Sequence, residues 1–261
     1  MDMSLLDRDV ENLPLEEAER SLRVQLAAAY RMVDHFGWTE LIYGHLTVRV
    51  PGPDIHFLIN PYGLNYDEIT ASNLVKIDLE GNIVGHSDYP VNKAGFIIHS
   101  AVHMANAPQN KCVMHTHTRA GMAIAATQEG VLPVSMTATG FYGRLSYHEF
   151  EGPSFDLDER PRLLEHLGQN KAMILKNHGL LTVGKTVPDA FLRLYRLERA
   201  CQVQLDAAAA GTLNVISHNL ATSSGQSMDE FSGYGDASQI GMTEFKALMR
   251  KLDKVDPSYR D

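Results

Sequence analysis

Two apolar segments that follow each other without an intervening residue place the strongest constraint on the fold. They are AMILKNH at residues 172–178 and GLLTVG at residues 179–184. Strands joined this tightly pair antiparallel, because a parallel pair needs a crossover of a dozen or more residues. Other strand-like segments also lie close together, which favours antiparallel pairing over a regular alternation of strands and helices. The sequence therefore predicts an α/β fold with a mainly antiparallel sheet.

Hydrophobic periodicity places the remaining elements around this pair. The further predicted strands are 44–50, 55–60, 111–117 and the shorter candidates 132–138 and 144–150, with a hairpin over 74–85 that turns at Glu80-Gly81-Asn82. The predicted helices are 14–36, 94–106, 118–128, 156–168, 188–210 and 243–253. Proline at the start of the first and of the fifth helix supports those two boundaries.

One domain is expected over residues 1–211, followed by a C-terminal arm and helix over residues 212–261. Residues 214–240 are rich in Ser, Gly and Asn and contain few core-forming side chains, which is typical of a surface arm. We expect this C-terminal part to pack on a neighbouring subunit.

Charge and composition exclude two classes of partner. The formal net charge is −9 and no basic run occurs, so neither nucleic acid nor an anionic membrane surface is expected to bind. No segment approaches the roughly 18 apolar residues that span a bilayer, and the acidic N-terminus lacks the layout of a signal peptide. Cys112 and Cys201 lie in apolar segments and are expected to be buried, reduced thiols. These features predict a cytoplasmic protein.

The segment CVMHTHT places His115 and His117 one residue apart at the end of a predicted strand. Side chains alternate across a strand, so both imidazoles point to one face and could converge on a metal ion. From this pair alone the alternative, two histidines on a solvated strand face, stays open. His178 in LKNHGLL is the best candidate for a third ligand, because it follows an apolar strand and precedes a glycine.

With these segments established, the chain resembles the class II aldolase/adducin family over roughly residues 20–210. The matching segments are GHLTVRV, LINPYGLNYDEITASNLVKID, NKAGFIIHSAVH, KCVMHTHT and LKNHGLLTVG. The resemblance implies a three-layer α/β/α domain with a central, mainly antiparallel sheet, which usually assembles as a tetramer with active sites between subunits. It also implies that His115, His117 and His178 bind a divalent metal, commonly zinc.

The chain departs from the sugar-phosphate aldolases of that family in three places. Where they carry a Pro-Ser-Ser-Glu segment, this sequence reads Pro90-Val91-Asn92-Lys93, so two phosphate-binding serines and a proton-carrying acid are missing. Their Thr-Pro-Thr-Gly loop reads Asn60-Pro61-Tyr62-Gly63 here, and His45 replaces an asparagine. Phosphate requires convergent hydroxyl, amide and cationic donors. Because too few of them remain, a non-phosphorylated substrate is expected.

Other residues must then supply proton transfer and substrate contacts. Lys93 occupies roughly the place of the lost acid, where it would bind a substrate carboxylate or act as a base; a lysine that reaches solvent is an equal alternative. His148 is the second candidate for proton transfer. The candidate substrate-binding residues are Asn60, Gly63, Asn92 and His99. Lys93 and Arg119 together suggest a carboxylate-bearing substrate.

These expectations combine into a metal-dependent lyase acting on a small, non-phosphorylated molecule. Three protein ligands leave coordination positions open, and a Lewis acid there would stabilise the enolate left by aldol cleavage or by decarboxylation. Imidazole ligands suit zinc, manganese and Fe(II), and Fe(II) would permit oxygenase chemistry instead. A non-catalytic interaction protein like the adducin head is the alternative from another class. Adducins carry a long neck and a basic tail that this sequence lacks, so an enzyme is expected.

Overall fold

The computed structural model describes residues 9–152, 158–233 and 236–261, and for residues 93–95, 229 and 237 it describes the backbone alone. Within these ranges one sheet contains the strands β1 His45–Val50, β2 His56–Ile59, β3 Val75–Ile77, β4 Cys112–Thr116, β5 Ser146–His148, β6 Ala172–Leu175 and β7 Gly179–Gly184. Their order is β3-β2-β1-β4-β7-β6-β5. Neighbouring strands are antiparallel except for β5 and β6, which are parallel. The mainly antiparallel sheet predicted from the sequence is confirmed.

Eight helices flank the sheet in the described part of the chain. They are α1 Leu15–His35, α2 Lys93–Met104, α3 Arg119–Ala125, α4 Met136–Thr139, α5 Glu159–Leu167, α6 Val187–Ala210, α7 His218–Gly233 and α8 Met242–Val255. The start of α6 follows the expected capping chemistry, because the Thr186 hydroxyl accepts a hydrogen bond from the backbone N–H of Asp189. No helix among these residues is long and apolar enough to cross a bilayer.

Alternating side chains on the central strand β4 divide the molecule into three layers. Cys112 and Met114 are buried in a large core that also contains residues of α1, α3, α6 and α8. Val113 points the other way, into a smaller core formed with residues of α2 and α5. The period-two alternation of a strand buried on both faces produces this arrangement. The implied three-layer α/β/α fold is therefore present.

The face covered by α2 carries polar residues near the centre of the sheet. β1 and β4 pair so that His45 stands opposite His115. Two residues further along β1, the Thr47 hydroxyl bonds to His99 on α2 at 2.8 Å. Since His45, Thr47 and His115 share this parity, the sheet presents a row of polar side chains toward α2.

Two predicted strands are shorter than expected or absent. Residues 132–138 do not form a strand: α4 begins at Met136, because the Ser135 side chain caps it by accepting from the Ala138 N–H. The predicted hairpin over 74–85 is reduced to β3 and an isolated bridge between Ile77 and Ile83. There the Asp78 carboxylate accepts the backbone N–H groups of the turn and so competes with strand pairing.

The C-terminal part is more helical than its composition indicates. Residues 218–233, which belong to the expected surface arm, form α7. Phe245 and Met249 of α8 are buried in the large core of the same chain. The domain boundary near residue 211, and the packing of residues 212–261 on a neighbouring subunit, stay predictions.

Candidate metal centre

The histidine triad, His115, His117 and His178, lies where the end of β4 meets the beginning of β7. His115 is the fourth residue of β4 and His117 follows its last residue, so both side chains leave the same face of the sheet. His178 ends the three-residue turn between β6 and β7. Asn177 in that turn has a φ of +55°, a conformation that asparagine tolerates better than most residues. The fold thus brings the three predicted ligands together.

The Nε2 atoms of the triad converge on one region. His117 Nε2 lies 2.8 Å from His115 Nε2 and 3.0 Å from His178 Nε2. Among the described residues, no other group of three or more His, Cys, Asp or Glu side chains brings its ligand atoms together within a comparable distance, here 4.8 Å. The imidazole nitrogens are therefore close enough to share one ion.

Hydrogen bonds on the far side of two rings determine which nitrogen carries the hydrogen. His115 Nδ1 donates to the backbone carbonyl of Leu180 at 2.8 Å, and His117 Nδ1 donates to Glu40 Oε2 at 2.6 Å. In a neutral ring with Nδ1 protonated, Nε2 carries a lone pair and cannot donate. Two such lone pairs at 2.8 Å repel each other, and a shared cation relieves that repulsion. The donor set fits a divalent metal that prefers imidazole nitrogen, such as zinc.

Burial favours the uncharged rings that metal coordination requires. It holds the pKa of the His115 imidazole well below the usual range and lowers the pKa of His178 to about 4, and the neighbouring histidines add to both effects. Protonated imidazole does not coordinate metal. At neutral pH both rings therefore keep their lone pairs.

Gly179 permits the close approach of β7 to the triad. A Cβ atom at this position would lie 2.5 Å from the backbone oxygen of Thr116, 3.2 Å from the His117 ring and 3.3 Å from the His115 ring. The first contact involves backbone, which cannot rotate away. The glycine after His178 is thus required for packing against the two other histidines.

His45 lies beside the triad. Its ring stacks on that of His115 with the centroids 6.3 Å apart, and its Nε2 accepts a hydrogen bond from the Asn92 amide at 3.1 Å. Burial lowers the pKa of His45 to about 3. Its Nδ1 is buried without a partner among the described residues. An unpaired, buried ring nitrogen therefore belongs to the residue that stacks on His115.

The four predicted substrate-binding residues occupy different settings. Asn92 and the fully buried His99 both contact His45, the latter through an edge-to-face ring contact with the centroids 5.7 Å apart. Asn60 is buried, and its Oδ1 accepts from the Tyr30 hydroxyl at 2.9 Å. Gly63 lies in a turn with a φ of +111°. The substrate contacts of all four stay predictions.

The structure describes the hydrogen bonds of one of the two predicted proton carriers, His148, and none of these bonds reaches the triad. Lys93 is the first residue of α2, and its side chain lies outside the described part. His148 is buried at the end of β5, where its Nδ1 lies 2.8 Å from His166 Nδ1 and its Nε2 lies 3.2 Å from Glu159 Oε1. Both ring nitrogens of His148 therefore have local partners, and its role in proton transfer stays a prediction.

Sequence reasoning did not identify Glu40. Its carboxylate bonds to His117, but the two residues are 77 positions apart. Glu40 lies in the short segment between α1 and β1, which carries no periodicity and no recognisable motif. Glu40 is identified only by its hydrogen bond to His117 in the structure.

The chain is similar in sequence and in fold to known proteins. The family model described as "Class II Aldolase and Adducin N-terminal domain" matches residues 24–205. Alpha-adducin of Rattus norvegicus is 42% identical over 259 residues, which cover 95% of this chain but 35% of the adducin, so the chain spans about a third of that relative. The crystal structure of an aldolase II superfamily protein from Pseudomonas syringae is 44% identical with a TM-score of 0.86, covering 93% of this chain and 96% of that one.

A second solved structure is that of an enzyme named for a phosphorylated sugar. The L-fuculose 1-phosphate aldolase from Glaciozyma antarctica PI12 is 30% identical to this chain, with a TM-score of 0.83 and full coverage of both chains. The substrate named there is phosphorylated, whereas the departures around Asn60 and Asn92 predict a non-phosphorylated one. The two possibilities are separated experimentally below.

Proposed function

This chain belongs to the class II aldolase and adducin N-terminal domain family, and on that premise we propose that it is a divalent-metal-dependent lyase. The proposed reaction is aldol cleavage or decarboxylation of a small, non-phosphorylated substrate that bears a carboxylate. The proposed metal is zinc, with manganese or Fe(II) as alternatives, since imidazole ligands accept all three. The observation that carries the proposal is the convergence of the triad's Nε2 atoms.

The triad has the composition of a catalytic metal site. Three protein ligands leave at least one coordination position for substrate or water, whereas structural zinc sites are closed by four. When bound, the metal supplies Lewis-acid polarisation of a substrate carbonyl, which stabilises the electron pair left by the cleaved carbon–carbon bond. The chain's own contribution is to hold the three rings in place through Leu180, Glu40 and the tight turn at Asn177.

The proposed substrate class is supported by three residues, Arg119, Asn60 and Asn92. Arg119 is exposed in the first turn of α3, two residues after His117, where its guanidinium is suited to a carboxylate. The amides of Asn60 and Asn92 are engaged with Tyr30 and His45. Because these two side chains already have partners within the chain, they support a substrate without phosphate. Lys93 is the second proposed contact for the substrate carboxylate.

Assembly and location are further parts of the proposal. Class II aldolase-like proteins are often oligomeric, and we propose a homotetramer to which residues 212–261 contribute contacts. A cytoplasmic location is proposed with it, supported by the reduced state expected of Cys112 and Cys201.

The experiment uses purified chain loaded separately with zinc, manganese or Fe(II). Hydroxy-keto acids and β-keto acids, each with and without a phosphate, are tested for release of carbonyl products or carbon dioxide. We expect turnover of carboxylate substrates without phosphate and at least about a 100-fold loss in His115→Ala. Turnover of phosphorylated sugars alone would contradict the substrate class. Oxygen uptake by the Fe(II) form would show that the chain acts as an oxygenase and not as a lyase.

A non-catalytic function has one observation in its favour. The 42% identity to alpha-adducin extends over nearly the whole chain, and adducin relatives are non-catalytic. An interaction protein on this fold would not need a metal, so its behaviour should be the same with and without the triad. Unchanged partner binding by a His115→Ala variant, together with no turnover of any tested substrate by the metal-loaded chain, would favour this second function.

A further inference from the structure

The turn before β1 brings a carboxylate to the outer side of one triad ring. Glu40 Oε2 lies 2.6 Å from His117 Nδ1, the nitrogen opposite the one that faces the triad. The Glu40 side chain is 43% exposed and that of His117 is 17% exposed. A contact between polar side chains that is this open to solvent contributes little to stability. Orientation of the His117 ring therefore explains the contact better than a contribution to stability does.

The backbone at this turn is strained. The N–H of Tyr43 bonds to the Glu40 carbonyl at 2.9 Å, which closes a four-residue turn with Leu41 as its second residue. Leu41 has a φ of +51° and its side chain is largely exposed. This position ordinarily belongs to glycine, and leucine there gains no burial in return. A strained residue persists only where its surroundings hold it.

Neighbouring contacts hold the turn against the triad. The Tyr66 hydroxyl donates to the Tyr43 carbonyl at 3.2 Å, and Tyr66 is itself buried against Tyr30. Gly44 lies against the His115 backbone, since a Cβ there would be 3.2 Å from its carbonyl oxygen. The turn is thus connected to β4, which contains His115 and is followed by His117, and Glu40 has a fixed position relative to His117.

We propose that Glu40 positions His117 for metal binding by fixing the hydrogen on Nδ1 and the plane of the ring. The inference rests on the metal site of the proposed function. A carboxylate that accepts from the outer nitrogen of a metal-binding histidine keeps the inner nitrogen as the lone pair and increases its basicity. Leu41 contributes through its backbone alone, by placing Glu40 at the correct distance.

Metal affinity tests this role without any assay of the reaction. Zinc and Co(II) are titrated into metal-free protein, and the visible spectrum of the Co(II) form reports ligand geometry. We expect Glu40→Ala to bind about 10–100-fold more weakly with an altered spectrum, and Glu40→Gln to fall between it and the unmodified chain. Glu129→Ala, which removes an exposed carboxylate elsewhere, is the matched control and should be unchanged.

The turn itself gives a second pair of variants. Leu41→Gly keeps the positive φ and should bind metal like the unmodified chain, whereas Leu41→Pro forces φ near −65° and should weaken binding as Glu40→Ala does. Both substitutions remove an exposed leucine side chain, and thermal unfolding checks that each variant is folded.

The outcomes separate this proposal from the one on which it rests. Metal-binding by Glu40→Ala with the affinity and spectrum of the unmodified chain would overturn the role of Glu40 and leave the lyase untouched. An unmodified chain that binds neither zinc nor Co(II) would overturn both.

Discussion

The histidine triad and a neighbouring buried trio, His45, His99 and His103, occupy the same side of the sheet, but their ring nitrogens have different partners. In the trio, one Thr47 hydroxyl bonds to His99 Nδ1 at 2.8 Å and to His103 Nε2 at 2.7 Å, and Asn92 bonds to His45. Both partners are neutral, and the Thr47 hydroxyl lies between the rings of His99 and His103. In the triad, the partners of His115 and His117 lie outside, so that the inner nitrogens face one another.

The comparison shows that a high density of histidine does not by itself make a metal site. Both groups are rich in imidazole, and burial lowers the pKa of histidines in both. The triad differs in having external acceptors, Leu180 and Glu40, that leave lone pairs pointing inward. Convergent lone pairs with their hydrogens held elsewhere are the physical requirement for coordination.

The largest effect on this comparison is expected from Gly179→Ala. The new Cβ would lie 2.5 Å from the Thr116 carbonyl oxygen, so β7 must move away from the triad while the trio is unaffected. We expect a loss of about 1–3 kcal/mol in the free energy of unfolding from overpacking, together with weaker zinc binding. Urea denaturation and zinc titration measure the two effects.

Gly211→Ala provides the control, because no atom lies within 4 Å of the position of its Cβ. Its stability and zinc affinity should match those of the unmodified chain. If Gly179→Ala behaves like this control in both measurements, the close approach of β7 is not what assembles the triad.

A smaller effect, on the free energy of unfolding, is expected for the trio when the pH is lowered. Burial lowers the pKa of His103 to about 3 from an ordinary value of 6.5, with the Arg49 charge adding to the shift. Between these values the unfolded chain binds a proton that the folded chain does not. The contribution of His103 to the free energy of unfolding is therefore complete above pH 6.5. It decreases as the pH drops toward 3, by up to about 1.4 kcal/mol per pH unit.

The variant His103→Gln tests that dependence in metal-free protein. It keeps a polar side chain next to Thr47 but removes the ionisable group, so its free energy of unfolding should decline less steeply between pH 7 and pH 5. Urea denaturation at several pH values provides the two slopes. Parallel slopes would show that His103 does not carry the expected linkage, while zinc affinity at pH 7 should not change.

Much of the triad could be predicted because its determinants are local. The parity of β4 places His115 and His117 on one face, and the glycine after His178 indicates a tight turn. The mainly antiparallel sheet followed from strand pairs with no space for a crossover, whereas the three layers were implied by the family resemblance. These features depend on neighbours within a few residues of each other.

The features that could not be predicted from the sequence depend on contacts between distant residues or on a helix cap. Glu40 lies 77 residues from His117, so no sequence spacing connects them. His148 was selected because titratable groups are concentrated around it, yet Glu159 and His166 of α5 are its partners. The strand expected over 132–138 was wrong because the Ser135 cap decides the conformation there.

The zinc content of the purified chain shows whether the triad is the metal site. The unmodified chain, His103→Gln and a triple His115→Ala, His117→Ala, His178→Ala variant are equilibrated with zinc, dialysed against metal-free buffer and measured by elemental analysis. We expect about one zinc per chain for the first two and none for the triple variant. Equal zinc in the triple variant and the unmodified chain, or loss of zinc in His103→Gln alone, would contradict this expectation.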